Sequence, residues 1–229
     1  MILRAFLLAL GQIGDPRFRR VLLLGVALTL ALLFAASAGV MQLVGWLVGE
    51  DARLPLLGEV RWLNDLAGWS SLLVMLVLSV VLMVPVASAI TSMFLDQVAQ
   101  AVEDKHYPHL PAAAPVGFAD SVRDTLSFLG ILIAANLVAL VLYVIFTPAA
   151  PLIFWALNGF LLGREYYTLA AMRRVGRAEA KRLRARNSGT IWAAGTLMAI
   201  PLSVPLVNLL IPILGAATFT HIYHMTGRR

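Results

Sequence analysis

Residues 125–163 read TLSFLGILIAANLVALVLYVIFTPAAPLIFWALNGFLLG, 39 consecutive residues without Asp, Glu, Lys or Arg. A helix crosses the hydrocarbon core of a bilayer with about 20 apolar residues. This stretch is therefore long enough for two legs, and Pro148 and Pro151 stand between them. Proline lacks an N–H and steers the residue before it away from helical conformation, so the first leg must end before Thr147-Pro148. Arg123-Asp124 precede the stretch and Arg164-Glu165 follow it. The segment thus reads as a Pro-broken helical hairpin over 116–164 with both ends on one side of a membrane.

Working outward, three more charge-free stretches appear: Val21–Gly49, Leu66–Leu95 and Asn187–Gly227, of 29, 30 and 41 residues. The last is interrupted by Pro201, Pro205 and Pro212 and reads as a second hairpin over 187–227. The chain of 229 residues is 60% hydrophobic and 13% charged, where soluble domains carry about a quarter of their residues as charges. The expected fold is an all-α integral membrane protein forming a single membrane domain, 1–229. Residues 1–14 make an amphipathic interfacial helix, 16–48 a first span, and 66–105 a second span extended into the cytoplasm. Two helical hairpins follow, joined by a basic cytoplasmic amphipathic helix over 165–186. The return leg Ala149–Gly163 has only 15 residues, a length typical of re-entrant elements, so the hairpins are read as hemi-penetrating. Two full crossings per hairpin, with tilt or thinning, are the alternative.

Arg4 and the Ala36-Ser37-Ala38 tripeptide would also suit a signal peptide, but charged residues extend to Arg20 and the apolar run to Val48. The first span is therefore read as retained. Basic residues cluster before it and in 164–186, which by the positive-inside rule places both termini in the cytoplasm. The net charge of +6 is read as membrane anchoring, not nucleic-acid binding. There is no cysteine, hence no disulfide or thiolate metal site. No P-loop is present, since Lys occurs only at 105 and 181 and neither completes a glycine pattern. Neither a nucleophile elbow nor an H-E-x-x-H motif is found. The chain is read as a non-enzyme with no cofactor and no ATPase of its own to drive transport.

Several residues suit anion chemistry. Pro16-Arg17-Phe18-Arg19-Arg20 opens the first long helix, where free N–H groups and a partial positive charge favour an anion; topology alone would also place arginines there. Arg164-Glu165 closes the first hairpin, either lining an ion path or anchoring beside Tyr166-Tyr167. Asn136, Asn158 and Asn208 are expected to hydrogen-bond between helices or close turns. Gly159-x-x-x-Gly163 permits close helix packing. Residues 173, 174, 177, 181 and 184 are basic at near-helical spacing and read as a basic amphipathic helix at the cytoplasmic surface, with an anion vestibule as the alternative. His221 and His224 share a helix face, without a nearby acid or thiol in sequence to complete a metal site.

Four passages together resemble the CysZ sulfate permeases of bacterial inner membranes, grouped with etoposide-induced-protein relatives. They are Gly14–Arg20; Pro85–Ile90 leading to Phe94-Leu95-Asp96, Glu103 and His106-Tyr107-Pro108; Asn158–Tyr166 with Arg173-Arg174; and Pro205–Pro212 followed by Gly215-Ala216 and Thr220-His221. The resemblance implies a sulfate permease feeding cysteine synthesis, assembled as a homo-oligomer in the inner membrane, with sulfate and membrane lipids as partners. It implies two long transmembrane helices plus two hemi-penetrating pairs. It also places a sulfate site at the start of the first long helix, here Arg17, Arg19 and Arg20. Asp15-Pro16 departs from that element's tighter glycine–arginine spacing and sets an acid beside the site. Arg164, Glu165, Asn158 and Asn208 are the translocation candidates. The competing readings are a less specific anion channel and a non-transporting membrane scaffold.

Overall fold

In a computed structural model, the structure describes residues 1–48, 53–54, 58–59, 94–114 and 116–227. The described elements are helical apart from one two-residue strand pair. The chain divides into two compact units, Met1–Leu22 with Ser92–Arg229 and Leu23–Thr91.

In the second unit, most of helix α2 (Pro16–Val48) is a single uninterrupted rod. Its 33 residues correspond to about 50 Å, and Thr29 returns its hydroxyl to the Gly25 carbonyl at 2.6 Å. Beyond it, β1 (Arg53–Leu54) pairs antiparallel with β2 (Gly58–Glu59), with Arg53 opposite Glu59. The expected second span from 66 lies outside the described residues as far as 93.

The first unit is built on α8 (Ile211–Thr226), whose residues Ile211–Tyr223 are all buried. Helix α1 (Ile2–Leu10) lays Ala5 and Ala9 against it and leaves Leu3, Leu7 and Leu10 exposed. The apolar outer face of α1 suits a membrane surface. Helix α3 (Leu95–His106) and helix α5 (Ala150–Arg186) pack on other sides of α8. Gly215 lets the Tyr166 ring lie on the α8 backbone, since any Cβ at 215 would overlap that ring.

Helix α4 (Phe118–Ile145) forms the hairpin with α5. It stops at Ile145, and Pro148 then helps form the 3₁₀ turn Thr147–Ala149. Among the described residues, Val122–Ile145 is the segment long and apolar enough to cross a membrane, 24 residues that are largely unburied by protein. At about 36 Å this first leg exceeds a bilayer's hydrocarbon thickness.

Helix α6 (Ser188–Ala199), of 12 residues, packs tightly on α5. Gly159, Gly163 and Gly195 form the seam. A Cβ at Gly163 would lie 2.6 Å from the Ile191 carbonyl oxygen, and one at Gly195 would overlap the Gly159 carbonyl. Helices within lipid gain little from hiding apolar surface, so such backbone approach supplies the packing energy. The 3₁₀ turn Ile200–Ser203 and the short α7 (Pro205–Asn208) then return the chain to α8. Pro201, Pro205 and Pro212 all fall in first turns, where the missing N–H has no helical partner to lose.

One reversal has no counterpart in the expected layout. Gly176 adopts φ 73°, ψ 174° inside the α5 span, a conformation available in practice only to glycine. The chain folds back there, so that Arg184 Nη1 donates to Thr168 Oγ1 at 2.7 Å. Along a straight helix those residues would stand about 24 Å apart. The helix expected to begin near 165 is instead continuous from the hairpin to Val175 and then doubles back.

Candidate functional site

The head of α2 shows how the arginines there are used. Asp15 Oδ1 accepts the Arg17 N–H at 2.9 Å, and the Asp15 backbone carbonyl accepts the Arg19 N–H at 3.0 Å. Gln12, buried, donates to Asp15 Oδ2 and to the Ala101 carbonyl, each at 3.0 Å. Burial pushes the Asp15 carboxyl up, but the Gln12 and Arg17 hydrogen bonds and the charges of Arg17 and Lys105 bring it below its ordinary value. Asp15 thus stays an anion and occupies the helix N-terminus from within. Arg17 bonds to Asp104 on α3. Arg19 and Arg20 are exposed and make no ion pair among the described residues.

The site sequence reasoning missed lies between α3, α5 and α8. Glu103 is only 2% exposed. Its carboxylate accepts a two-point bond from Arg174, Nε to Oε1 at 2.8 Å and Nη2 to Oε2 at 2.6 Å. His224 Nε2 lies 3.0 Å from Oε1, and Arg173 Nη1 stands 3.6 Å from Oε2. Arg173, also buried, donates from Nη2 to Gln100 Oε1 at 2.6 Å and pairs with Asp96 at 3.6 Å. Burial alone would raise the Glu103 carboxyl. The His224 and Arg174 hydrogen bonds and the two arginine charges outweigh it and hold the group at about 2. Arg173 and Arg174, expected on a helix at the cytoplasmic surface, are instead clasped against Gln100 and Glu103. The sequence signal was slight: two arginines directly after Leu169-Ala170-Ala171-Met172, and one acid after Ala101-Val102.

His221 and His224 do share a face and both pack against the Tyr107 ring, but they hydrogen-bond to different partners. His221 Nδ1 lies 3.0 Å from the Tyr107 hydroxyl, and its ring packs edge-on to His106 at 4.8 Å. Asn136 and Asn158 bond back to their own helix, to the Leu132 and Phe154 carbonyls at 2.8 Å, rather than between helices. Asn208 ends α7 half-buried.

Arg164 and Glu165 sit where two cavities meet the hairpin. Arg164 Nη2 reaches Ser127 Oγ at 3.5 Å and lines both cavities. The smaller, about 270 Å³, is polar along one side, with Asp96, Asp124, Thr125, Glu165 and Thr168. The larger, about 580 Å³, is apolar apart from Arg164, Arg184 and Ser188. Neither Asn158 nor Asn208 lines either one. The structure thus brings Arg164 and Glu165 together at a cavity and leaves the asparagines apart from them.

A sequence profile described as sulfate transporter CysZ/etoposide-induced protein 2.4 matches residues 5–212. The chain belongs to that family. The match runs from α1 to the second residue of α8 and so takes in the head of α2, the first hairpin and the second hairpin as far as the start of its return leg. Membership makes this a membrane protein of sulfate-transporter type, and a non-enzyme reading is consistent with it. No curated relative matches the chain.

Proposed function

We propose that the chain is a sulfate permease of the bacterial inner membrane, importing sulfate for assimilation into cysteine. The observation that carries this reading is the pair Arg19 and Arg20, exposed and without ion pairs among the described residues, at the start of a helix with no charge beyond Arg20 and beside Arg17, which Asp104 already matches. Sulfate is a strongly hydrated dianion, and guanidinium groups offer planar donor pairs that replace water on its oxygens. Because Asp15 already caps the Arg17 N–H and sets a negative charge at the helix start, the arginine side chains rather than backbone amides supply the binding. Exposed arginines bind weakly enough for release, which conduction requires.

In this reading α2 and the segment from 66 cross the membrane, and both termini face the cytoplasm. The polar cavity at Arg164 and Glu165 belongs to the translocation path. Hairpin turns at membrane depth need protein or water around them, which favours a homo-oligomer. The dry glycine seam between α5 and α6 supports a second reading, a scaffold whose hairpins serve assembly alone.

Labelled sulfate uptake into proteoliposomes separates them. A permease gives uptake above protein-free vesicles that unlabelled sulfate competes and chloride does not. Equal competition by chloride would mean a less selective anion channel. No uptake by correctly assembled protein under any imposed gradient would leave the scaffold.

A further inference from the structure

The larger cavity shares Arg164 with the polar one and otherwise lies outside the translocation path proposed above. Its walls are Ala135, Val138, Ala139 and Leu142 of α4 with Ile153 and Phe160 of α5, closed on another side by Ile191 and Trp192 of α6. Trp192 is fixed there by its Nε1 donating to the Ala156 carbonyl at 2.8 Å. At about 580 Å³ it lies within the roughly 300–1,000 Å³ of ligand pockets. A wholly apolar lining would make it a packing defect; two arginines at one end argue otherwise.

Arg164 and Arg184 both line that end. They are held as neighbours by Thr168, whose hydroxyl donates to the Arg164 carbonyl at 2.6 Å and accepts from Arg184 Nη1 at 2.7 Å. The reversal at Gly176 is what brings Arg184 there. The two guanidiniums repel one another. Arg177 adds a third positive charge nearby, paired with Asp124 at 3.8 Å. Asp124 is the acid facing this group from α4, and it also acts on Arg164 and Arg184. Three cations share one carboxylate, and Ser127 and Thr168 give uncharged oxygens only.

The dimensions fix what would cover both halves. Ser127, opposite Arg164, lies near one end of the Val122–Ile145 segment. Ala135 and Leu142 lie about 12 and 22 Å further along α4, reaching past the depth of one leaflet, about 15 Å. Charge at the segment's end and an apolar slot running inward from it match the shape of a membrane lipid.

We propose that this groove is a site for one anionic phospholipid, its phosphodiester between Arg164 and Arg184 and an acyl chain along α4. The proposal needs only that the hairpin sits in a bilayer. It does not depend on sulfate conduction, and an uptake assay leaves it untouched.

Native mass spectrometry of the delipidated full-length protein in detergent tests it, with phosphatidylglycerol and phosphatidylcholine of the same chains added in turn. One phosphatidylglycerol per chain binds at concentrations where phosphatidylcholine does not. Arg164→Gln/Arg184→Gln weakens binding by about tenfold or more. Ala135→Phe, which fills the slot and keeps both arginines, weakens it as well, so a misfolded arginine variant does not end the test. Glycerol 3-phosphate, carrying the headgroup chemistry without a chain, fails to displace the lipid. Equal binding of the two lipids, wild-type binding by both variants, or displacement by glycerol 3-phosphate at matching concentration would overturn the proposal.

Discussion

Two clusters of arginine in this chain have opposite fates. At the α3–α5–α8 junction, Arg173 is buried and Arg174 nearly so, and both close on Glu103, with His224 completing the carboxylate. At the head of α2, Arg17 is matched by Asp104, while Arg19 and Arg20 have no carboxylate partner among the described residues. Both clusters read alike in sequence, as basic residues beside apolar spans. The lesson is that a cation's role follows from whether the fold supplies its anion: where it does, the arginine holds helices together, and where it does not, the anion must come from outside.

The sharpest way to break this contrast is Glu103→Ala. It strands two buried guanidiniums, and removing one partner of a buried pair costs about 3–5 kcal/mol. Thermal unfolding in detergent should show the loss as a large fall in melting temperature. A change no larger than that of a surface substitution would mean the junction is not a structural lock.

Acid separates the clusters next. The Glu103 carboxyl is held at about 2 against an ordinary 4.5, so its folded-state value is depressed. The stability it contributes is complete above 4.5 and is lost as pH falls from there toward 2, amounting to about 3 kcal/mol over the window. Unfolding measured against pH for wild type and Glu103→Gln should converge across that interval. Parallel curves would contradict the assignment.

Asp104→Asn removes the closer of the two carboxylates that Arg17 faces, leaving Asp15 at 3.9 Å. It loosens Arg17 beside Arg19 and Arg20, so sulfate binding should tighten by about two- to threefold, while an exposed pair of this kind changes stability by less than about 1 kcal/mol. Titration calorimetry with sulfate reads the first effect and melting temperature the second; weaker binding would place the anion elsewhere.

Much of the fold was legible because lipid imposes simple rules. The charge-free run 125–163 with Pro148 and Pro151 reads as a broken hairpin, Pro16 as the start of α2, and Gly159-x-x-x-Gly163 as a seam, which Gly195 completes. Three features were not legible, for physical reasons. A uniformly apolar helix looks the same in a protein core as in lipid, so nothing marked α8 as the buried axis. Gly176 sits between Val175 and Arg177 in a helix-favouring run, and only the tertiary bond from Arg184 to Thr168 shows that it reverses the chain. Glu103 and Arg174 are 71 residues apart, and charge pattern alone gives no register between distant helices. At the candidate site, Arg19 and Arg20 could be named from sequence, whereas the internal capping by Asp15 and the matching of Arg17 required coordinates.

The most direct test of the account is sulfate uptake by Arg19→Ala/Arg20→Ala in proteoliposomes, with melting temperature measured on the same preparations. Each lost guanidinium removes a charged hydrogen bond of about 1.5–3 kcal/mol, so uptake at low sulfate should fall by about tenfold or more. Both side chains are exposed and make no ion pair among the described residues, so stability should stay within about 0.5 kcal/mol of wild type. Uptake at the wild-type rate from equally stable protein would contradict the claim that the arginines without an internal anion are the ones that take one from outside.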